Sequence, residues 1–226
     1  MIVFDNVSKK YALGTFELYN TTFQIDDNEF VFLVGPSGAG KTTILRLIIA
    51  ATTPTSGSII VNDTTITDKR FKNIEKLRQS NGFVFQDFKM LYDKNIVENV
   101  ALALKVSGYA DKTVKDETER VLELVGLTEK KYMFPIQLSA GELQRAAIAR
   151  AVVGRRSIIL ADEPTGNLDP KTSWEIMKIF KKLDHENKTV IIATHNVDIV
   201  NSFKKRVIVM KDGSIVKDAR SSGYDL

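Results

Sequence analysis

The chain contains no cysteine, which excludes disulfides and any cysteine-ligated metal. No apolar run approaches the roughly 18–20 residues that a bilayer requires. Met1-Ile2-Val3-Phe4-Asp5 offers neither the basic nor the apolar region of a signal peptide. The expected location is therefore cytoplasmic, and work at a membrane would need another chain to supply the membrane part. Excess charge is scarce too: 32 Lys and Arg against 28 Asp and Glu give +4, too little to argue for nucleic acid. Internal repeats and low-complexity linkers are missing. What remains is 226 residues, 43% hydrophobic and 27% charged, enough for one sizeable α/β domain or a core with an insert.

Against that ordinary background, Gly35-Pro36-Ser37-Gly38-Ala39-Gly40-Lys41-Thr42 forms an uninterrupted G-x-x-x-x-G-K-[ST] loop. Average residue frequencies produce it by chance in a chain this long on the order of one time in a hundred. Its flanks fit: Phe30-Val31-Phe32-Leu33-Val34 reads as a buried strand, and Ile44, Leu47, Ile48 and Ala51 share one helical face. Strand, glycine loop and helix is the context of a phosphate cradle. Backbone N–H groups curl around the β-phosphate, and the helix N-terminus adds partial positive charge. Gly35, Pro36, Ser37, Gly38, Ala39, Gly40, Lys41, Thr42 and Thr43 form the expected nucleotide-binding set. Lys41 reaches the β/γ oxygens, and the Thr42 hydroxyl sits on Mg²⁺.

Other apolar runs end on polar residues: Gly82-Phe83-Val84-Phe85 on Gln86, Ile158-Ile159-Leu160-Ala161 on Asp162 and Glu163, and Val190-Ile191-Ile192-Ala193 on Thr194 and His195. Continuous hydrophobicity marks strands covered on both faces. Ligands of open parallel sheets bind at the carboxyl ends, so the loop, Gln86, Asp162, Glu163 and His195 converge on one edge. Residues 1–25 alternate instead, as at Ile2/Phe4 and Phe23/Ile25, which predicts half-exposed antiparallel strands. Ile59-Ile60-Val61 before Asn62-Asp63 adds another. The stretch from about 93 to 155 has helical spacing and reads as an insert, and the tail from Asp218 to Gly223 reads as frayed.

An unpaired Asp162 carboxylate at the end of an apolar strand would be costly, and a magnesium ion offsets that cost. The competing reading is a helix N-cap. Glu163 stands where it can orient or deprotonate a water attacking the γ-phosphate, against the plainer reading of a surface acid pair. Ser139-Ala140-Gly141-Glu142 is a capping box, with Ser139 at the cap and Glu142 reaching back.

With these residues placed, nearly the whole chain resembles the ATP-binding subunits of ABC systems. Leu138-Ser139-Ala140-Gly141-Glu142 looks like the family's signature, Asn167-Leu168-Asp169 like its D-loop, and His195 like its switch histidine. The resemblance implies an α/β fold: a P-loop NTPase (RecA-like) core with an N-terminal antiparallel β subdomain and an inserted α-helical subdomain. One domain spans 1–226, with the core at 1–87 and 157–226 and the insert at about 88–156. By the same resemblance, Glu163, His195 and Gln86 are catalytic, and Thr42, Gln86 and Asp162 hold Mg²⁺. Tyr11 stacks on adenine, or is merely an exposed strand-end tyrosine. Ser139, Gly141, Glu142 and Asp169 complete the ATP site of a second copy. The Gln86 reading competes with a capping role at a strand end. His185, in a charged segment, reads as solvated.

ATP, Mg²⁺ and a homodimer formed on ATP are thus expected. Val84-Phe85-Gln86-Asp87-Phe88 points to the cell-division branch of the family, which works with an integral membrane partner resembling FtsX to regulate cell-wall hydrolysis. The alternative, which shares the Ala161-to-Asp169 stretch, is a lipoprotein-release or macrolide-type export complex. Residues from about Gln86 to Val100 are the expected partner contact, with Phe88, Met90, Leu91 and Tyr92 exposed, unless they pack the insert against the core. Ala140, Leu143 and Asn28 depart from the family's usual glycine, glutamine and glycine.

Overall fold

Phe30–Val34 is buried at every residue, and in the computed structural model, which describes residues 1–11 and 17–220, it lies within a six-stranded sheet. In chain order the elements are β1 (Ile2–Lys10), β2 (Glu17–Ile25), β3 (Phe30–Val34), α1 (Lys41–Ile48), β4 (Ser56–Val61), β5 (Thr64–Thr65), α2 (Ile74–Ser80), β6 (Asn81–Val84), α3 (Ile96–Val106), α4 (Asp111–Leu124), α5 (Ala140–Val152), β7 (Ile158–Asp162), α6 (Pro170–His185), β8 (Thr189–Thr194), α7 (Val197–Phe203), β9 (Arg206–Lys211) and β10 (Ser214–Ala219). The large sheet runs β10-β9-β3-β8-β7-β6. Only β10 is antiparallel to its neighbour. A second sheet, β2-β1-β4-β5, is antiparallel throughout.

The period of two along each strand sorts its side chains between two cores. Phe30, Phe32 and Val34 join one with residues of α3 to α7. Val31 and Leu33 join the other with Ile44, Leu45, Leu47 and Ile48 of α1 and with Ile2, Phe4 and Ile59 of the small sheet. Burial on both faces is why β3, β7 and β8 read as unbroken apolar runs. In the small sheet, Phe4 stacks on Phe23 at 4.5 Å while Asp5 and Gln24 face water.

Four particulars differ from the sequence reading. Helix α1 stops at Ile48, so Ala51 lies beyond it; the guanidinium of Arg78 donates to the carbonyls of Ile49 and Ala50 and closes that end. Val207–Met210, not singled out above, forms the core of β9. Asp218 and Ala219 are paired in β10 rather than frayed, with the Asp218 carboxylate gripped by Arg206 at 2.7 and 2.8 Å; residues 221–223 lie outside the described part. Met90 is buried and Phe88 half-buried against the first core, whereas Leu91 and Tyr92 are exposed. The expected exposed quartet is thus half packing. Asn28 adopts the left-handed backbone expected of it, φ 62°.

Candidate functional site

Because β3, β6, β7 and β8 are parallel, their carboxyl ends share one edge. A cavity of about 350 Å³ opens there, lined by residues 37–43, Gln86, Glu163 and His195. Gly35 turns the chain away from β3 at φ 152°; a Cβ there would lie 2.2 Å from the Met210 carbonyl oxygen of β9. The loop can pass only as glycine. Gly40 is the N-cap of α1 and has no side chain with which to cap it. The first N–H groups of the helix therefore remain for an anion.

Lys41 is 6% exposed and donates to the carbonyls of Gly35 at 2.7 Å and Pro36 at 3.1 Å. Its Nζ also lies 3.6 Å from Glu163 Oε1. Thr42 donates its hydroxyl to Asp162 Oδ1 at 2.9 Å. Burial pushes the Asp162 carboxyl pKa up, the Thr42 hydrogen bond opposes this, and neighbouring Glu163 adds to the upward push. Glu163 sits at φ 46°, a left-handed conformation uncommon outside glycine, with its N–H fixed on the Ala193 carbonyl at 2.9 Å. Its Oε1 meets His195 Nδ1 at 3.0 Å, and its buried Oε2 has no partner. An orphaned carboxylate oxygen, a buried acid beside a hydroxyl, and helix N–H groups together fit a magnesium triphosphate.

Not all expected residues gather here. Tyr11 is not a lining residue but stands beside one, its hydroxyl 3.5 Å from Oγ1 of Thr43 and Lys9 Nζ over its ring. Ser139, Gly141, Glu142 and Asp169 do not line the cavity either. Ser139 is the exposed N-cap of α5, and Asp169 is the exposed N-cap of α6, held on Thr172. A Cβ on Gly141 would meet Thr172 Cγ2 at 2.4 Å, so the starts of α5 and α6 abut. His185 is exposed in the last turn of α6.

Sequence reasoning passed over Lys130, whose Nζ meets Glu142 Oε1 at 2.5 Å. With the Ser139 N–H and hydroxyl both donating to Oε2 at 2.9 Å, Lys130 holds the Glu142 carboxyl down to a pKa of about 2. A depressed folded-state pKa stabilises above the unfolded value and loses its contribution as pH falls towards the folded one. Glu142→Gln should therefore cost about 1 kcal/mol near pH 7, discounted because Lys130 is half in water. The difference from wild type in urea melts should start to shrink below pH 4.5 and be more than half gone by about pH 3.

Comparison with known proteins identifies the family. The family described as ABC transporter matches residues 18–166. The cell division ATP-binding protein FtsE of Bacillus subtilis is 45% identical over 99% of this chain and 98% of its own. The Escherichia coli K12 protein of that name is 39% identical over 95% and 97%. Among solved structures, the post-hydrolysis dimer of an ATP-binding cassette bound to ADP and Pi superposes with a TM-score of 0.88 at 35% identity, covering 99% of this chain and all of that one. The cassette cbiO1 from Clostridium perfringens, part of the ABC transporter complex cbiONQ, gives 0.88 at 29% identity, covering 97% and 88%. The chain belongs to the ABC transporter family, as one of its ATP-binding and ATP-hydrolysing subunits.

Proposed function

We propose that two copies of this ATPase close on ATP and pass the closing motion to a membrane protein of the FtsX type in bacterial cell division. One observation carries the pairing: the cavity wall holds Lys41, Gln86, Glu163 and His195 but none of Ser139, Gly141, Glu142 or Asp169. The capped, outward start of α5 is then the natural lid for a partner's triphosphate. The relatives named for cell division, and the dimeric neighbour bound to ADP and Pi, support the same reading.

In this reading, Lys41 and the N–H groups at the start of α1 hold the phosphates. Glu163 takes the proton of the attacking water, and His195 keeps the Glu163 carboxylate aimed through its 3.0 Å contact. Mg²⁺ would be held by Thr42, Asp162 and Gln86, and it supplies charge neutralisation to the triphosphate when bound. The core comprises residues 1–87 and 157–226 and the insert about 88–156.

Between them runs a groove of about 490 Å³, walled by Leu91, Leu102, Ala103 and Val106 with Arg78, Arg150 and Arg156. Tyr92, next to Leu91, is 61% exposed. We place the membrane partner there. Among the described residues no helix is long and apolar enough to cross a membrane, so the partner would hold this chain at the inner face of the cell membrane.

The lack of cysteine makes a single introduced thiol a clean probe. Tyr92→Cys, cross-linked with a short bifunctional reagent in intact membranes, should capture an integral membrane protein. Lys217→Cys, exposed on β10 at the opposite edge of the sheet, should not. Capture through Lys217→Cys but not Tyr92→Cys would put the partner elsewhere.

A further inference from the structure

The chain leaves β6 through Gln86 and then does something costly. Phe88 at φ 59° and Lys89 at φ 51° are consecutive left-handed residues, neither of them glycine. L-side chains crowd the backbone in this conformation, and a bulky aromatic there is an outlier that its surroundings must impose. Two helices hold the segment, α5 at the two left-handed residues themselves and α3 at the turn that follows. From α5, the Arg150 guanidinium donates Nη2–H to the Phe88 carbonyl and Nη1–H to the Lys89 carbonyl, both at 2.6 Å. From α3, the fully buried Asn99 accepts from the Leu91 N–H at 2.9 Å and donates to the carbonyls of Leu91, Lys94 and Asn95 at 2.9–3.0 Å.

Arg150 is the more telling of the two. Burial lowers its affinity for its proton. Among the described residues no carboxylate pairs with it, so the two carbonyls are its compensation. A rigid planar fork suits two adjacent carbonyls, whereas an ammonium could only alternate between them. Arg150 also lies on the helix that begins at Ser139, about three turns along. Any rotation of that helix would pull on the backbone two residues beyond Gln86.

We propose that Arg150 is a positioning residue for Gln86. Its fork holds the loop so that the Gln86 amide stands at the cavity, and it ties that amide to the helix carrying Ser139. The inference rests on the reading of Gln86 as part of the hydrolytic site. It predicts that the arginine changes turnover through Gln86, while the phosphate cradle around Lys41 is unaffected.

A double-mutant cycle on steady-state ATPase activity separates these ideas, using Gln86→Ala, Arg150→Met and the pair. Each single change should lower kcat roughly tenfold, with KM for magnesium ATP moving less than about threefold, and the pair should fall no further than the lower single. A pair that falls to the product of the two effects, about a hundredfold, overturns the inference and leaves the role of Gln86 standing. An unchanged kcat in Gln86→Ala overturns both. Should Arg150→Met not fold, Arg150→Lys enters the same cycle. Full turnover in Arg150→Lys would show that the fork is dispensable and would also overturn the proposal.

Discussion

Glu163→Gln should bind ATP as the parent does, split it roughly 10²–10⁴-fold more slowly, and accumulate as an ATP-bound pair; that range is what a lost general base costs. The substitution keeps size and leaves an amide able to accept from His195, so the φ 46° backbone and the Ala193 anchor need not move. It removes the capacity to take a proton. It also removes the negative charge 3.6 Å from Lys41, which releases the ammonium for the triphosphate and favours the bound state. Phosphate release in a single turnover and sedimentation with and without ATP provide the two readouts. A variant that hydrolyses at the parental rate would transfer the base to another group. Slow hydrolysis without pairing would leave Glu163 as base but remove the sandwich.

How much of this was legible beforehand depends on the range of the interactions. The glycine loop, β3, β7 and β8 were legible because strands buried on both faces lose the polar alternation that hides other strands. Their polar end residues then fell to one edge by topology alone. The run Val207–Met210 has the same character but ends on Lys211-Asp212-Gly213, a turn with nothing chemical to mark it. Its part is to bring the Met210 carbonyl against Gly35, a contact between residues 175 positions apart that no local pattern encodes. Arg150 was equally hidden, because its hydrogen bonds span 61 and 62 residues. The only local signal was a lone charge inside the buried run Ala146 to Val152. Met90 shows the opposite error: a loop between a strand and a helix looked exposed by position, yet the first core takes that side chain.

Lys41→Ala should lower turnover roughly 10²–10³-fold, the scale for removing one charge-stabilising donor from such a site, and weaken ATP binding along with it. In the free protein the ammonium is almost wholly buried and fixed on the Gly35 and Pro36 carbonyls, so the chain already holds a desolvated cation where the phosphates would lie. Truncation removes that cation, strands two carbonyls of the loop, and leaves Glu163 without its nearby positive charge. The same variant can test the pairing. Ser139→Asp keeps a good N-cap on α5 but sets a carboxylate where the partner's triphosphate would dock, so alone it should also be nearly inactive. Mixing the two inactive proteins yields some pairs in which both lesions fall in one composite site, leaving the other with an intact Lys41 and an intact Ser139. ATPase activity should reappear on mixing and vary with the proportions. If each variant stays as inactive in the mixture as alone, while both still fold, then neither copy completes the other's site and hydrolysis belongs to the single chain.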